Sequence, residues 1–353
     1  MNASSVVIAR IGMTSALGLS ALQTAASVRA GLSGYRKSSI LDADEERITM
    51  ALVPDADLPP LLPELEGAGL TSRTTRLLRL ATLSLPECIA DEVRPERIPL
   101  LIAVPDAHPG LPVPIGADFL DWLGQQSGVV FDVQHSRVFA HGRAGGLLAL
   151  HEALARLRGG SVDRVVVGGV DSHLDLMLLA TLVEERRLRA DGIYDGFTPG
   201  EGAAFLLLMR ADTAAREGRE VFGYVDEVAS ADEPGHRYSA DPYRGEGLDL
   251  AFRRAFTAAS SLGPVRTVYA GFNGEHFPSK EWGVAHLRHR ARFAEDVRIE
   301  HPADCLGDVG AAFGPMMVGL SAIGMQRGYR RSPCLVWCSS DKAERAAALL
   351  HKV

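Results

Sequence analysis

The Gly-rich turn AHGRAGG, residues 140–146, leads into the apolar stretch LLALHEALARLR and carries two side chains able to do chemistry, His141 and Arg143. A turn of this kind at the start of a buried helix ordinarily presents a nucleophile, because free backbone N–H groups there favour negative charge. The turn holds no Ser, Cys or Thr. An arginine in that place opposes the helix dipole and is costly unless an acid compensates it. Two further stretches bring reactive types together: Asn273 and His276 in AGFNGEHF, and Cys305 three residues before Asp308 in CLGDVG. A Cys–His pair drawn from these needs the thiol beside a base and an oxyanion hole. The four cysteines (Cys88, Cys305, Cys334, Cys338) show no CxxC pairing and no zinc-type His spacing, so free thiols in a reducing compartment are expected. Phosphate loops of the GxGxxG type and HExxH metal motifs are absent from the sequence, and no metal or cofactor is expected.

These residues need a scaffold, and the sequence alternates strand-like and helical patterns from end to end, the mark of an α/β protein. SVVIARIGM, IPLLIAVPD, SRVFA, DRVVVGGV and EGAAFLLLMR read as strands of a first half, residues 1–220. TSRTTRLLRLATLSLPECIADEV and the stretch 145–158 read as its helices, and residues 55–67, rich in Pro and acid, as a surface excursion. A second half, 221–353, repeats the scheme from VFGYVDEVAS onward, with a helix expected over SKEWGVAHLRHRARFAE before the strand VRIEH. The two halves are expected to pack around one core.

Composition narrows the class. With 353 residues, 46% hydrophobic and 23% charged, the chain has the make-up of a globular protein with a sizeable core. A formal charge of −7 argues against nucleic acid, and the one basic block, HLRHRAR, has the spacing of a solvated face. The uncharged run 309–325 is rich in Gly and Ala and contains Pro, so a buried core helix is expected there and no membrane partner. The N-terminus lacks the basic region of a signal peptide, which leads to a cytoplasmic expectation.

Five segments in order resemble the β-ketoacyl synthase branch of the thiolase-fold superfamily. IGMTSALGLSALQTAASVRAGLSG is similar to the family's opening strand and helix, and HEALARLRGGSVDRVVVGGVDS to its nucleophile helix and following strand. YDGFTPGEGAAFLLLM resembles its DGF..GEGA entry, CLGDVGAAFG its GH..GAAG turn, and CSSDKAERAAALL occupies the place of its closing hairpin. The resemblance implies a five-layered αβαβα fold of two duplicated halves, usually dimeric. It also implies acyl chemistry in which a Cys takes an acyl group and two histidines assist decarboxylative condensation.

Carried over position by position, the resemblance puts Arg143 where the nucleophile stands, Asn273 at the first histidine and Asp308 at the second. Ala303 replaces the basic residue before that histidine, and SSDKAE replaces the Gly- and Phe-rich gatekeeper loop. The expectation is a charge pair, with both carboxylate oxygens engaged, between Arg143 and Asp308 across the old acyl site, bordered by Asn273. The other course is a free Arg143 that binds an anion. His141, His276, Cys305 and Glu201 are expected near the cavity, Glu201 in a structural role. A non-condensing binding or assembly partner is thus expected, paired as a homodimer or with a thiolase-fold homologue, with an acyl carrier protein or a secreted effector as further partners. An accessory protein for a bacterial type VI secretion effector and an acyltransferase with a relocated nucleophile at Cys305 are the alternatives.

Overall fold

The structure, a computed structural model, describes residues 5–42 and 45–353; residues 1–4, part of the N-terminal stretch read above, lie outside it. Its strands are β1 (Val6–Ser15), β2 (Arg36–Leu41), β3 (Arg47–Met50), β4 (Leu100–Ala103), β5 (Arg137–Phe139), β6 (Arg164–Ser172), β7 (Glu201–Arg210), β8 (Gly223–Asp232), β9 (Val265–Tyr269), β10 (Phe293–Glu300), β11 (Cys334–Ser339) and β12 (Glu344–His351). Ten of them form one sheet in the order β10-β9-β11-β12-β8-β1-β7-β6-β4-β5, and β2 pairs with β3 in a separate hairpin. Cut between β8 and β1, the sheet gives β5-β4-β6-β7-β1 and β10-β9-β11-β12-β8, one order of connection used twice. The seam is short: Val6–Ile8 pair with 223–225.

Successive strand residues face opposite sides, and this alternation builds the layers. In β7, Ala204, Leu206 and Leu208 enter the central core, while Ala203, Phe205, Leu207 and Met209 enter an outer core beneath the helix Ser72–Ile89. In the second half, Val336 and Ala348 face the central core, and Leu335, Trp337, Ala347 and Leu349 face outward with the helices Gly247–Ala258 and His276–Arg288. Two helices, Gly142–Arg158 and Phe313–Gln326, fill the layer between. The order helix, sheet, helix, sheet, helix is the expected five-layered arrangement. The central helices nearly touch at Gly146, where a β-carbon would stand 2.2 Å from Pro315 Cδ.

Several local expectations are corrected. The central helix starts at Gly142, not Gly145, so Arg143 lies in its first turn. The helix expected through 295 stops at Arg288, and β10 begins at Phe293. Phe293 packs its ring against Trp282 and Phe256 from a strand, which rewards ending the helix early. The excursion 55–67 is less superficial than its composition suggests, since Leu58 and Leu65 are buried in the outer core. The run 309–325 becomes the second central helix, and no helix of the described residues is long and apolar enough to cross a membrane.

Candidate functional site

Four segments from both halves meet at the start of the helix Gly142–Arg158: its first turn, the loop after β9, the turn 307–310 and the loop between β11 and β12. Arg143 Nε donates to Asp308 Oδ2 at 2.7 Å, and Nη2 reaches the same oxygen. Nη1 donates to Asp341 Oδ1 at 2.8 Å. The two-oxygen clasp on Asp308 is therefore not formed, because its Oδ1 accepts from the Gly310 N–H at 2.9 Å. Gly310 has φ +51°, and a β-carbon there would fall 2.0 Å from Asp171 Oδ2, so the turn that delivers this N–H needs glycine. Asn273 Nδ2 donates to Asp308 Oδ2 at 3.0 Å and to Glu275 Oε2 at 2.9 Å.

The pair is one corner of a larger lattice. Arg187 grips Glu275 through Nε and Nη2 at 2.8 and 2.9 Å. It also reaches both oxygens of Asp341, at 2.9 and 3.0 Å. Arg237 Nη2 lies 2.8 Å from Glu275 Oε1. Three guanidinium groups thus face three carboxylates. The buried Phe197 ring lies 5.6 and 5.4 Å from the Arg143 and Arg187 guanidinium carbons. Buried charges are tolerable only when fully paired, and this balance supplies the pairing. Burial raises the Asp308 pKa, but Arg143 outweighs it and holds the carboxyl at about 2. Asp341, its side chain 28% exposed, is likewise held well below the usual carboxylate range against burial, by Arg143 and Arg187.

One donor of the helix start is also occupied. Ser340 Oγ accepts from the Ala144 N–H at 3.1 Å and donates to the His141 carbonyl. That cap consumes an N–H that a developing oxyanion would otherwise use.

The other expected residues lie apart from this lattice. His141 turns its Nδ1 to Glu344 Oε1 at 2.8 Å, with its side chain 41% exposed. His276 is a correction: as first residue of an outer helix it is 79% exposed, with Nδ1 3.5 Å from Asp195, and does not line the cavity. Cys305 does not line it either. It is half-buried in the short helix Ala303–Leu306, and burial, then Asp304 and Glu300, push its thiol up, away from the thiolate that attacks. Glu201 is fully buried outside the cavity lining. It accepts from the Val53 N–H at 2.8 Å, Ser172 Oγ at 2.7 Å and Arg76 Nη2 at 2.6 Å, which ties β6, β7 and a loop together. Sequence reasoning missed Arg187, Arg237, Glu275 and Asp341. Glu275 and Asp341 stood inside quoted motifs, whereas Arg187 sits in EERRLR, which has the look of a solvated charge run.

A small cavity opens beside the lattice. Arg73, Lys342, His173 and His108 border it together with Leu178, Leu182 and Phe197. Among the described residues no group of His, Cys, Asp and Glu is arranged to hold a metal ion.

The model of the "Beta-ketoacyl synthase, N-terminal domain" family matches residues 142–214, from the first turn of the Arg143 helix through β7. Across 99% of both chains, the fold superposes on "The ishigamide ketosynthase/chain length factor" with a TM-score of 0.80 at 16% identity. The chain has the fold of that ketosynthase structure, and its residues 142–214 match the family model. A second ketosynthase structure, of a type II acyl carrier protein in complex with its ketosynthase, superposes with a TM-score of 0.78 at 15% identity, over 99% of both chains. Among curated sequences, the actinorhodin polyketide putative beta-ketoacyl synthase 2 of Streptomyces coelicolor is 30% identical over 200 residues, 53% of this chain and 47% of that one. The tetracenomycin polyketide synthase ketoacyl synthase beta subunit of Streptomyces glaucescens is 31% identical over 151 residues, 39% and 36% of the two chains. The matched stretches thus span less than half of those relatives' length.

Proposed function

We propose that this chain is a non-condensing partner of a condensing ketosynthase, of the kind that chain length factors represent. The observation that carries the reading is the fully paired arginine at the position where a nucleophile would stand. Arg143 cannot act as a nucleophile, since its guanidinium stays protonated, and burial is outweighed by Asp308 and Asp341, which raise its pKa further. Asp308, held ionised, accepts hydrogen bonds where a condensing site needs a donor to an enolate. The resemblance to a named ketosynthase beta subunit and to a ketosynthase/chain length factor structure supports the same reading.

Such a partner needs a free edge for association. Strand β5, three residues long, ends the sheet on the side of the Arg143 helix, and an unpaired edge invites pairing with a homologue. The expected assembly is a heterodimer or homodimer that buries well above ~1,000 Å² in total.

The test is reconstitution. The purified chain is mixed with a condensing ketosynthase of the same host and its acyl carrier protein, followed by light scattering and product analysis. A 1:1 complex whose condensation depends on the partner's cysteine supports the proposal. Condensation by this chain alone, or a monomer that ignores the ketosynthase at micromolar concentration, rejects it.

A further inference from the structure

We infer that Arg345, through a buried ion pair with Glu281, sets the tip of the β11–β12 hairpin and so holds Ser340 and Asp341 against the Arg143 helix. Arg345 and Glu281 touch no lattice charge themselves; they are positioning residues for it. Their contacts belong to the chain's own fold and stand whether or not it condenses.

The strand puts Arg345 behind the tip. Alternate residues of β12 face opposite sides, so Arg345 shares the face of Ala347 and Leu349, which enter the outer core, while Glu344 turns the other way to His141. A guanidinium is thereby carried into an apolar layer, where it is costly unless paired. The helix His276–Arg288 meets it with Phe277 and Glu281, four residues apart and so on one face. Arg345 Nε donates to Glu281 Oε1 at 2.7 Å, and both side chains are fully buried. The guanidinium carbon lies 5.8 Å from the Phe277 ring.

The other end of the guanidinium gathers the tip. Nη1 donates to the carbonyls of Ser340 at 2.8 Å and Glu344 at 3.2 Å, and it also reaches that of Lys342. The Ala343 carbonyl accepts from the Glu233 N–H at 2.8 Å. Four carbonyls of residues 340–344 are thus held from within the second half. Two side chains of the same residues reach across to the first half, Ser340 to the start of the Arg143 helix and Asp341 to Arg143 and Arg187. Arg345 Nη2 and Glu281 Oε2 make no hydrogen bond among the described residues, which leaves the Nε–Oε1 bond as the ionic contact that orients the guanidinium. A lysine cannot copy this arrangement. Its single ammonium nitrogen leaves no second nitrogen to hold Glu281 while the first gathers carbonyls.

Hydrogen exchange of the Ala144 amide, measured on the full chain, reads the position of the tip. That N–H lies in the first turn of its helix, where no helical carbonyl is available to it, and its acceptor is Ser340 Oγ. Ser340→Ala should speed its exchange directly. Arg345→Lys, on the far side of the tip, should speed it by at least about tenfold, and Glu281→Gln severalfold. Phe256→Leu, in the same outer core and away from the tip, lowers global stability and should leave Ala144 exchange within about twofold. Protection that survives Ser340→Ala would overturn the inference. Exchange unchanged in both Arg345→Lys and Glu281→Gln, or accelerated as much by Phe256→Leu as by Arg345→Lys, would do the same. If Arg345→Lys fails to fold, Glu281→Gln decides: faster Ala144 exchange supports the inference and unchanged exchange rejects it.

Discussion

The two central helices occupy equivalent places in the two halves and are built on opposite terms. The second, Phe313–Gln326, buries every residue from Phe313 to Met325 and is apolar almost throughout. The first, Gly142–Arg158, is just as central, yet its first turn carries a buried arginine bound to a carboxylate from the turn preceding the other helix. Apolar packing alone is enough to hold a helix in this layer, as the second helix shows. The charges at the start of the first are therefore an addition to the fold, set where the two halves meet. The cost of burying them is met by the pairing of three arginines with three carboxylates, and the places where that pairing can be undone are the places to test it.

The largest effect should come from breaking the corner of the lattice. Asp308→Ala leaves Arg143 with Asp341 as its remaining carboxylate and should cost about 3–5 kcal/mol, the range for a buried pair broken on one side. Making the first helix resemble the second, with Arg143→Leu and Asp308→Leu together, should recover part of that loss, because the removed charges cancel. Denaturant melts of the wild type, each single variant and the double variant check both statements; strictly additive losses would remove the pairing account.

The crossing of the two helices comes next. Gly146→Ala puts a methyl against Pro315 and should cost roughly 1–3 kcal/mol through overpacking, read from the same melts. A neutral result would mean the helices can separate there, and the comparison would then rest on the charges alone.

The acid limb is expected to follow Asp308. Its folded pKa of about 2 lies below the ordinary value of 3.8, so its contribution is present above about pH 4 and lost as pH falls toward 2. The size is about 2 kcal/mol at most, from the shift between those two values, and it should vanish in the double-leucine variant. Stability measured from pH 5 down to 2 in both proteins gives the difference.

The smallest effect belongs to His141. Its hydrogen bond to Glu344 raises its pKa, so the pair stabilises the fold below about pH 6.5 and the gain fades as pH rises through the folded pKa. The pair is partly exposed, and His141→Ala should cost under ~1 kcal/mol at pH 6 and less at pH 9.

Much of this comparison was visible in the sequence, for physical reasons that differ by level. The repeated strand–helix order and the uncharged run 309–325 were legible in the residues themselves and pointed to an α/β protein of two like halves and to the second helix, whereas the five layers were implied by the family resemblance. Arg143 and Asp308 stood out because each is a charge in a motif that otherwise holds small or neutral residues. Arg187 and Asp341 did not stand out. Arg187 lies in a charge run indistinguishable from solvent-facing sequence, Asp341 in a stretch marked only as the replacement of the gatekeeper loop, and only the fold brings them inward to close the lattice. His276 shows the converse: its spacing from Asn273 suggested a site, but the helix that starts there turns it to solvent.

The central claim is that the position of the nucleophile is filled by a paired arginine and takes no acyl group. Intact-mass analysis of the purified chain after incubation with acyl-CoA and with acylated carrier protein tests it most directly. The account predicts an unchanged mass. A stable adduct of acyl mass, mapped to Cys305 or to any other side chain of the chain, would contradict it.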